Sequence, residues 1–169
     1  MNRGDAKALL KYFKRNATFV AFGMYFDDAR KQVFIQEFPL KNSRLFNYAD
    51  INTDMWDEKT FTTNKKGHPI IGSIIGNAIG GFGAGFVGAL AGQQMSGKQV
   101  KYISGPSVTL LLNNSDKPYT HELMGSGPFK ANGFMGWQYQ KLLDKTQDFF
   151  CHVEGRPTPD EVMEDIWKS

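Results

Sequence analysis

Between Gly67 and Gly97 the chain carries no Asp, Glu, Lys or Arg, and inside that run Gly72, Gly76, Gly80, Gly88 and Gly92 fall on one four-residue register that Ala84 completes. Residues four apart share a helix face, so this spacing strips one face of side chains and lets a second backbone approach closely. The register predicts a glycine zipper. Ile70, Ile71, Ile74, Ile75, Ile79, Phe82, Phe86, Val87 and Leu90 lie between the glycines, available to lipid, to a partner or to a local core. As one straight helix, 70–90 would reach about 31 Å, near the thickness of a bilayer core. Two features argue against a span: Gly80-Gly81-Phe82-Gly83 breaks a helix at its middle, and both ends lead into strands of one domain. The expectation is therefore a hairpin of two short helices turning near 80–83, with Gly72, Gly76, Gly80, Ala84, Gly88, Gly92, Phe82 and Phe86 as its contact residues.

A chain of 169 residues suits one domain with an inserted element, and its 41% hydrophobic content, with 14 Phe and 3 Trp, suffices for a buried core. The net charge of +3 does not demand a nucleic-acid partner, because the basic residues gather in two places, Lys7 to Arg15 and the flanks of the glycine run (Lys65, Lys66, Lys98, Lys101), rather than in one tract. The single cysteine, Cys151, excludes an internal disulfide, and the charge-interrupted stretch from Ala6 to Arg15 is no signal peptide. A cytoplasmic protein is expected, with membrane association as the competing reading.

Residues 5–15 read as a short amphipathic helix, with Leu9, Leu10 and Phe13 on one side and Lys7, Lys11, Lys14 and Arg15 around the other. Packing on the domain is preferred to lying on a membrane. Strands follow over 18–26 and 31–38 around the turn Asp27-Asp28-Ala29-Arg30, then over 44–48 and 53–62. Beyond the glycine run, 99–103 and 107–112 read as two strands separated by Ser104-Gly105-Pro106, with a third over 119–124 after the turn 113–116. Periodic Tyr139, Leu142, Leu143, Thr146, Phe149, Phe150 and Val153 make 134–153 a long helix. Gly155 and Pro157 stop it, and Thr158 with Glu161 forms a capping box for a short tail helix.

About seven strands closed by one helix is the outline of a pleckstrin-homology-like (PH-like) barrel. The chain also resembles a group of small bacterial and phage proteins in which a PH-like domain is interrupted by a glycine-rich apolar insert. The resemblance rests on Tyr25-Phe26-Asp27-Asp28, on Arg44-Leu45-Phe46-Asn47-Tyr48-Ala49-Asp50-Ile51, on Gly72 to Gly92, and on Val108 to Leu112 resuming the sheet. It implies an α+β fold: a PH-like antiparallel β-barrel closed by a C-terminal helix, with an inserted glycine-rich helical hairpin. The parts are an N-terminal helix over 1–16, the PH-like domain over 17–153 with its insert at 67–97, and a tail over 154–169. The resemblance further implies a binding or scaffolding role, in a phage setting toward a host protein, and carries no catalytic residue across.

The residues themselves point away from enzymatic chemistry. No Gly-Lys-Ser/Thr follows the glycine run as a phosphate loop requires, and Gly81 to Phe86 lacks the acidic residue of a dinucleotide site. His68, His121 and His152 lack partners at metal-ligand spacing, and His121 and Glu122, as strand neighbours, face opposite ways. Cys151 reads as a buried filler beside Phe149 and Phe150. Phe134, Trp137 and Tyr139 read as closing the barrel mouth, and an exposed Trp56 or Trp167 would mark a protein interface. No catalytic residue, metal, cofactor, nucleic acid or small-molecule substrate is expected. The expected function is protein contact or self-association through the glycine hairpin; the alternative is insertion of that hairpin into a bilayer.

Overall fold

The computed structural model describes residues 1–63, 69–70, 74–79, 100–125, 127–158, 161 and 164. They form an α+β fold of two antiparallel sheets and two long helices. Helix α1 (Arg3–Asn16) starts where the Asn2 side chain accepts the Asp5 backbone N–H at 2.9 Å. It turns Ala6 and Phe13 inward, and Phe13 stacks on Phe34 with ring centroids 5.6 Å apart. The amphipathic helix expected over 5–15 is thus present, and its apolar side lies on the domain.

The first sheet runs in the order β1 (Phe19–Ala21), β2 (Met24–Asp27), β3 (Gln32–Ile35), β4 (Arg44–Asn47). The single strand expected over 18–26 is instead a hairpin. Phe22 and Gly23 both take positive φ, 51° and 77°, the backbone twist that a two-residue connection needs. The aromatic run hid this turn, since Phe22 is a poor advertisement for such a conformation. In β3, Val33 and Ile35 face the core shared with the second sheet, while Phe34 faces α1, so three consecutive residues are buried.

A 3-10 turn over Tyr48–Asp50 carries the chain out of the first sheet. The Asp50 carboxylate accepts the Asn47 backbone N–H at 3.3 Å and its side-chain amide at 2.8 Å. The turn is held from the far side by Asn113, whose side chain donates to the Ala49 carbonyl at 2.8 Å. The second sheet is built on two long strands, β5 (Ile51–Thr63) and β8 (Val100–Leu112), which pair along almost their whole length. The two short strands expected over 99–103 and 107–112 are this one strand. Ser104-Gly105-Pro106 is absorbed by a shift of register opposite Asp57 to Lys59, with Gly105 at φ 56°. β9 (Ser115–Glu122) and β10 (Phe129–Lys130) add to β8, while β6 (Pro69–Ile70) and β7 (Ile74–Ile79) add to β5.

Among the described residues the two sheets remain separate, and no ladder joins them into a closed barrel. The Tyr48–Asp50 turn displaces β5 from the edge of β4, so the sheets meet face to face through side chains. Their shared core holds Met24, Phe26, Val33 and Ile35 from the first sheet and Ile103, Val108 and Leu110 from the second. Helix α2 (Phe134–Glu154) closes one side. Its Phe150 meets Phe26 of β2 at 5.4 Å and Trp56 of β5 at 5.7 Å, both edge-on, so one ring bridges both sheets. The helix ends at Gly155 in the left-handed conformation, with the Arg156 N–H returning to the Cys151 carbonyl at 2.8 Å.

The helical hairpin requires correction at its start. Residues 74–79, including Gly76, form strand β7, paired antiparallel with β5 from Met55↔Ile79 to Lys59↔Ile74. β5 supplies a ladder of backbone partners, and Ile74, Ile75 and Ile79 are β-branched, so extension is favoured over a short helix that is costly to nucleate.

Candidate interaction surface

Of the zipper residues, only Gly76 falls on a described element, and that element is a strand. Gly72, Gly80, Ala84, Gly88, Gly92, Phe82 and Phe86 lie outside the described residues. The four-residue register is a helical argument, so it loses its physical basis at Gly76, where side chains alternate with period two.

A different surface emerges at the start of α2. Phe134, Met135 and Trp137 are 74%, 48% and 58% exposed. Phe134 and Trp137, three residues apart, share a helix flank with Lys141, whose Nζ lies 5.3 Å from the Trp137 ring centroid. Phe134, Trp137 and Tyr139 do not share one location, as closure of a barrel mouth by all three requires. Tyr139 alone is buried, packing edge-on against Phe129 at 5.4 Å and donating its hydroxyl to Glu58 at 3.0 Å. Helical geometry separates them: positions 134 and 137 diverge from 139 by well over a right angle around the axis.

The ridge sits over a closely packed turn. Gly136 is buried, and a Cβ added there would fall on the Ala131 carbonyl and come within 2.5 Å of the Lys130 carbonyl oxygen. Only glycine permits the first turn of α2 to sit this close to the strand that precedes it. That strand is anchored in turn, with the Ala131 N–H donating to the Lys101 carbonyl of β8 at 2.9 Å. Burial on one side of the turn fixes aromatic exposure on the other.

The polar groups of the interior serve the framework. His121 of β9 is buried, with Nδ1 2.7 Å from Glu37 Oε1 and Nε2 2.7 Å from the Phe22 carbonyl oxygen. Tyr119 donates to the same Glu37 oxygen at 2.8 Å, so this cluster ties β9 to the β1–β2 turn and to the segment after β3. His121 and Glu122 do point opposite ways, as their strand positions require. The partner that matters, Glu37, is remote in sequence and left no local signal. Burial, reinforced by Glu37, pushes the Tyr119 hydroxyl well above the usual phenol range.

A second cluster joins β5 to the end of α2. Arg156 donates to Asp54 at 2.8 Å and also to Glu154, while the Trp56 indole N–H donates to Asp54. The side chains of Asp54 and Glu154 are nearly inaccessible, and Glu154 Oε1 has no hydrogen-bond partner. Two buried carboxyl groups share one guanidinium: burial, with Asp54 beside it, raises Glu154 to about 7. Burial likewise raises the Cys151 thiol, which fits the role of filler. Trp56 is packed on Phe150, so Trp137 is the exposed tryptophan among the described residues, and Trp167 lies outside them.

Among the described residues no group of three or more His, Cys, Asp or Glu side chains is arranged to hold a metal ion. No helix among them is long and apolar enough to cross a membrane. His152, on the exposed side of α2, sets Nε2 3.6 Å from Asp28 Oδ1, and His68 lies outside the described residues. Compared with known protein families, with characterised proteins and with solved structures, the chain matches none.

Proposed function

We propose that the chain is a non-enzymatic protein-contact module of PH-like outline, with the aromatic ridge of α2 as its contact face. The observation that carries this reading is the exposure of Phe134, Met135 and Trp137 on a helix turn that Gly136 pins to the body of the domain. Tryptophan is among the residues that most often dominate the energetics of protein interfaces. Presentation of the ridge on a closely packed turn lowers the ordering cost of binding. Two face-to-face sheets capped by a C-terminal helix support the PH-like outline, and the interior clusters, each linking separate elements, support a scaffold rather than an enzyme.

The glycine-rich run 67–97 is the second contact element in this proposal. Its lack of charge suits self-association or a partner, and the phage resemblance makes a host protein the partner class. Insertion of the same run into a bilayer is the competing reading, favoured by its length and its flanking lysines. Light scattering on chromatographed, detergent-free protein tests the proposal with the double variant Phe134→Ser/Trp137→Ser. The variant should lose a co-purifying partner of the wild type, while self-association through 67–97 persists, with an unchanged unfolding midpoint. A co-purifying partner that survives the double variant would place contact elsewhere, and aggregation relieved by detergent would favour the bilayer.

A further inference from the structure

A quarter of the chain's Lys and Arg residues lie on one helix. Arg3, Lys7, Lys11, Lys14 and Arg15 of α1 are all exposed. At 3.6 residues per turn they fall within about 120° of the helix circumference, along a stripe of about 18 Å. The stripe points away from Ala6 and Phe13, which dock the helix on the first sheet. The one carboxylate of α1, Asp5, lies off the stripe and accepts a hydrogen bond from the Asn2 side chain at 2.6 Å. With five cations against one carboxylate, α1 carries more positive charge than the whole chain's net +3, so the remainder is slightly acidic. Among the described residues no ion pair engages any of the five cations.

Phe38 is 83% exposed, with Lys41 exposed three residues on, in the loop whose 3-10 turn (Leu40–Asn42) packs against α1. The end of α1 to which this loop belongs follows from the chain path. Near the C-terminal end of α1, Tyr12 donates to Asp27 at 2.8 Å and lies under Arg30, so that end sits at the β2–β3 turn. β3 runs away from this turn, which brings the Phe38 loop beside the N-terminal half of α1, where Arg3 and Lys7 stand.

We propose that the basic flank of α1, together with Phe38, is a docking face for an anionic phospholipid surface. A row of unpaired cations attracts several anionic headgroups at once, and a single exposed aromatic beside it can enter the boundary between headgroups and acyl chains. An exposed aromatic on the loop that packs against α1 suits the boundary between headgroups and acyl chains, whereas one isolated Phe is no stacking platform for successive bases. The mode is peripheral: it needs no insertion of the glycine-rich run, and it leaves the α2 ridge open for a protein.

Co-sedimentation of the full chain with phosphatidylcholine vesicles, with and without about 30% phosphatidylserine, tests the proposal. Binding should require phosphatidylserine and should collapse between about 0.05 and 0.5 M salt. Lys7→Ala/Lys11→Ala/Lys14→Ala should weaken it about a hundredfold, at about fivefold per cation. Phe38→Ser should weaken it about tenfold by removing the apolar contact. Lys117→Ala/Lys145→Ala, equal in kind but on other elements, should leave binding unchanged, and circular dichroism should show all variants folded. Equal binding to vesicles without phosphatidylserine, no binding to either, or capture of a duplex oligonucleotide under conditions where the vesicles are ignored would each overturn the proposal.

Discussion

Gly136 is the residue on which the presentation of the aromatic ridge turns. Its missing side chain lets the first turn of α2 press on the carbonyls of Lys130 and Ala131, backbone groups that cannot swing aside. Gly136→Ala should therefore cost more than about 2 kcal/mol, read as a shift in denaturant midpoint, although alanine is the better helix former. Glu154 gives a prediction in pH. Its folded value, about 7, lies above the 4.5 usual for a glutamate, so the folded state holds this proton more tightly than the unfolded chain does. The resulting stabilisation is complete below pH 4.5 and is lost as pH rises to 7. Glu154→Gln keeps the shape without the charge, and it should gain about 1 kcal/mol at alkaline pH and nothing in acid. Thermal melts across that range check the sign: a variant whose gain appears in acid would contradict it.

At the scale of elements, α2 buries one aromatic group and exposes the other. Phe150 bridges Phe26 and Trp56, and Phe150→Ala should destabilise by about 3–5 kcal/mol. Phe134→Ser/Trp137→Ser, at the exposed end, should stay within about 0.5 kcal/mol of wild type, as solvated surface changes do. Both α1 and α2 were legible in the sequence because a 3.6-residue period leaves a local trace. So was the Gly155 stop, since a left-handed cap position favours glycine. What escaped was set by distant residues. Strand β7 depends on the ladder β5 offers to 74–79, and the glycine register that suggested a helix carries no information about that edge. The continuity of β8 through Gly105 depends on slack opposite Asp57 to Lys59, and the exposure of Trp137 on how close β10 lets α2 approach. An aromatic cluster at helical spacing announces a face; the rest of the fold decides which way it looks.

For the molecule as a whole, long-range polar clusters hold the parts in register. Glu37, His121 and Tyr119 fasten β9 to the loops of the first sheet, and Asp54, Glu154 and Arg156 fasten the end of α2 to β5. The outer surface carries two unlike faces on this frame: a basic flank on α1 and an aromatic ridge on α2. The ridge is the proposed contact face of the protein. A photo-crosslinking residue placed at position 137 of the full chain, in the cells that make it, tests this most directly, with the exposed position 117 as control. A discrete adduct from position 137, absent from position 117 and abolished by Phe134→Ser, is the predicted result. No adduct from position 137, or the same adducts from both positions, would contradict the account.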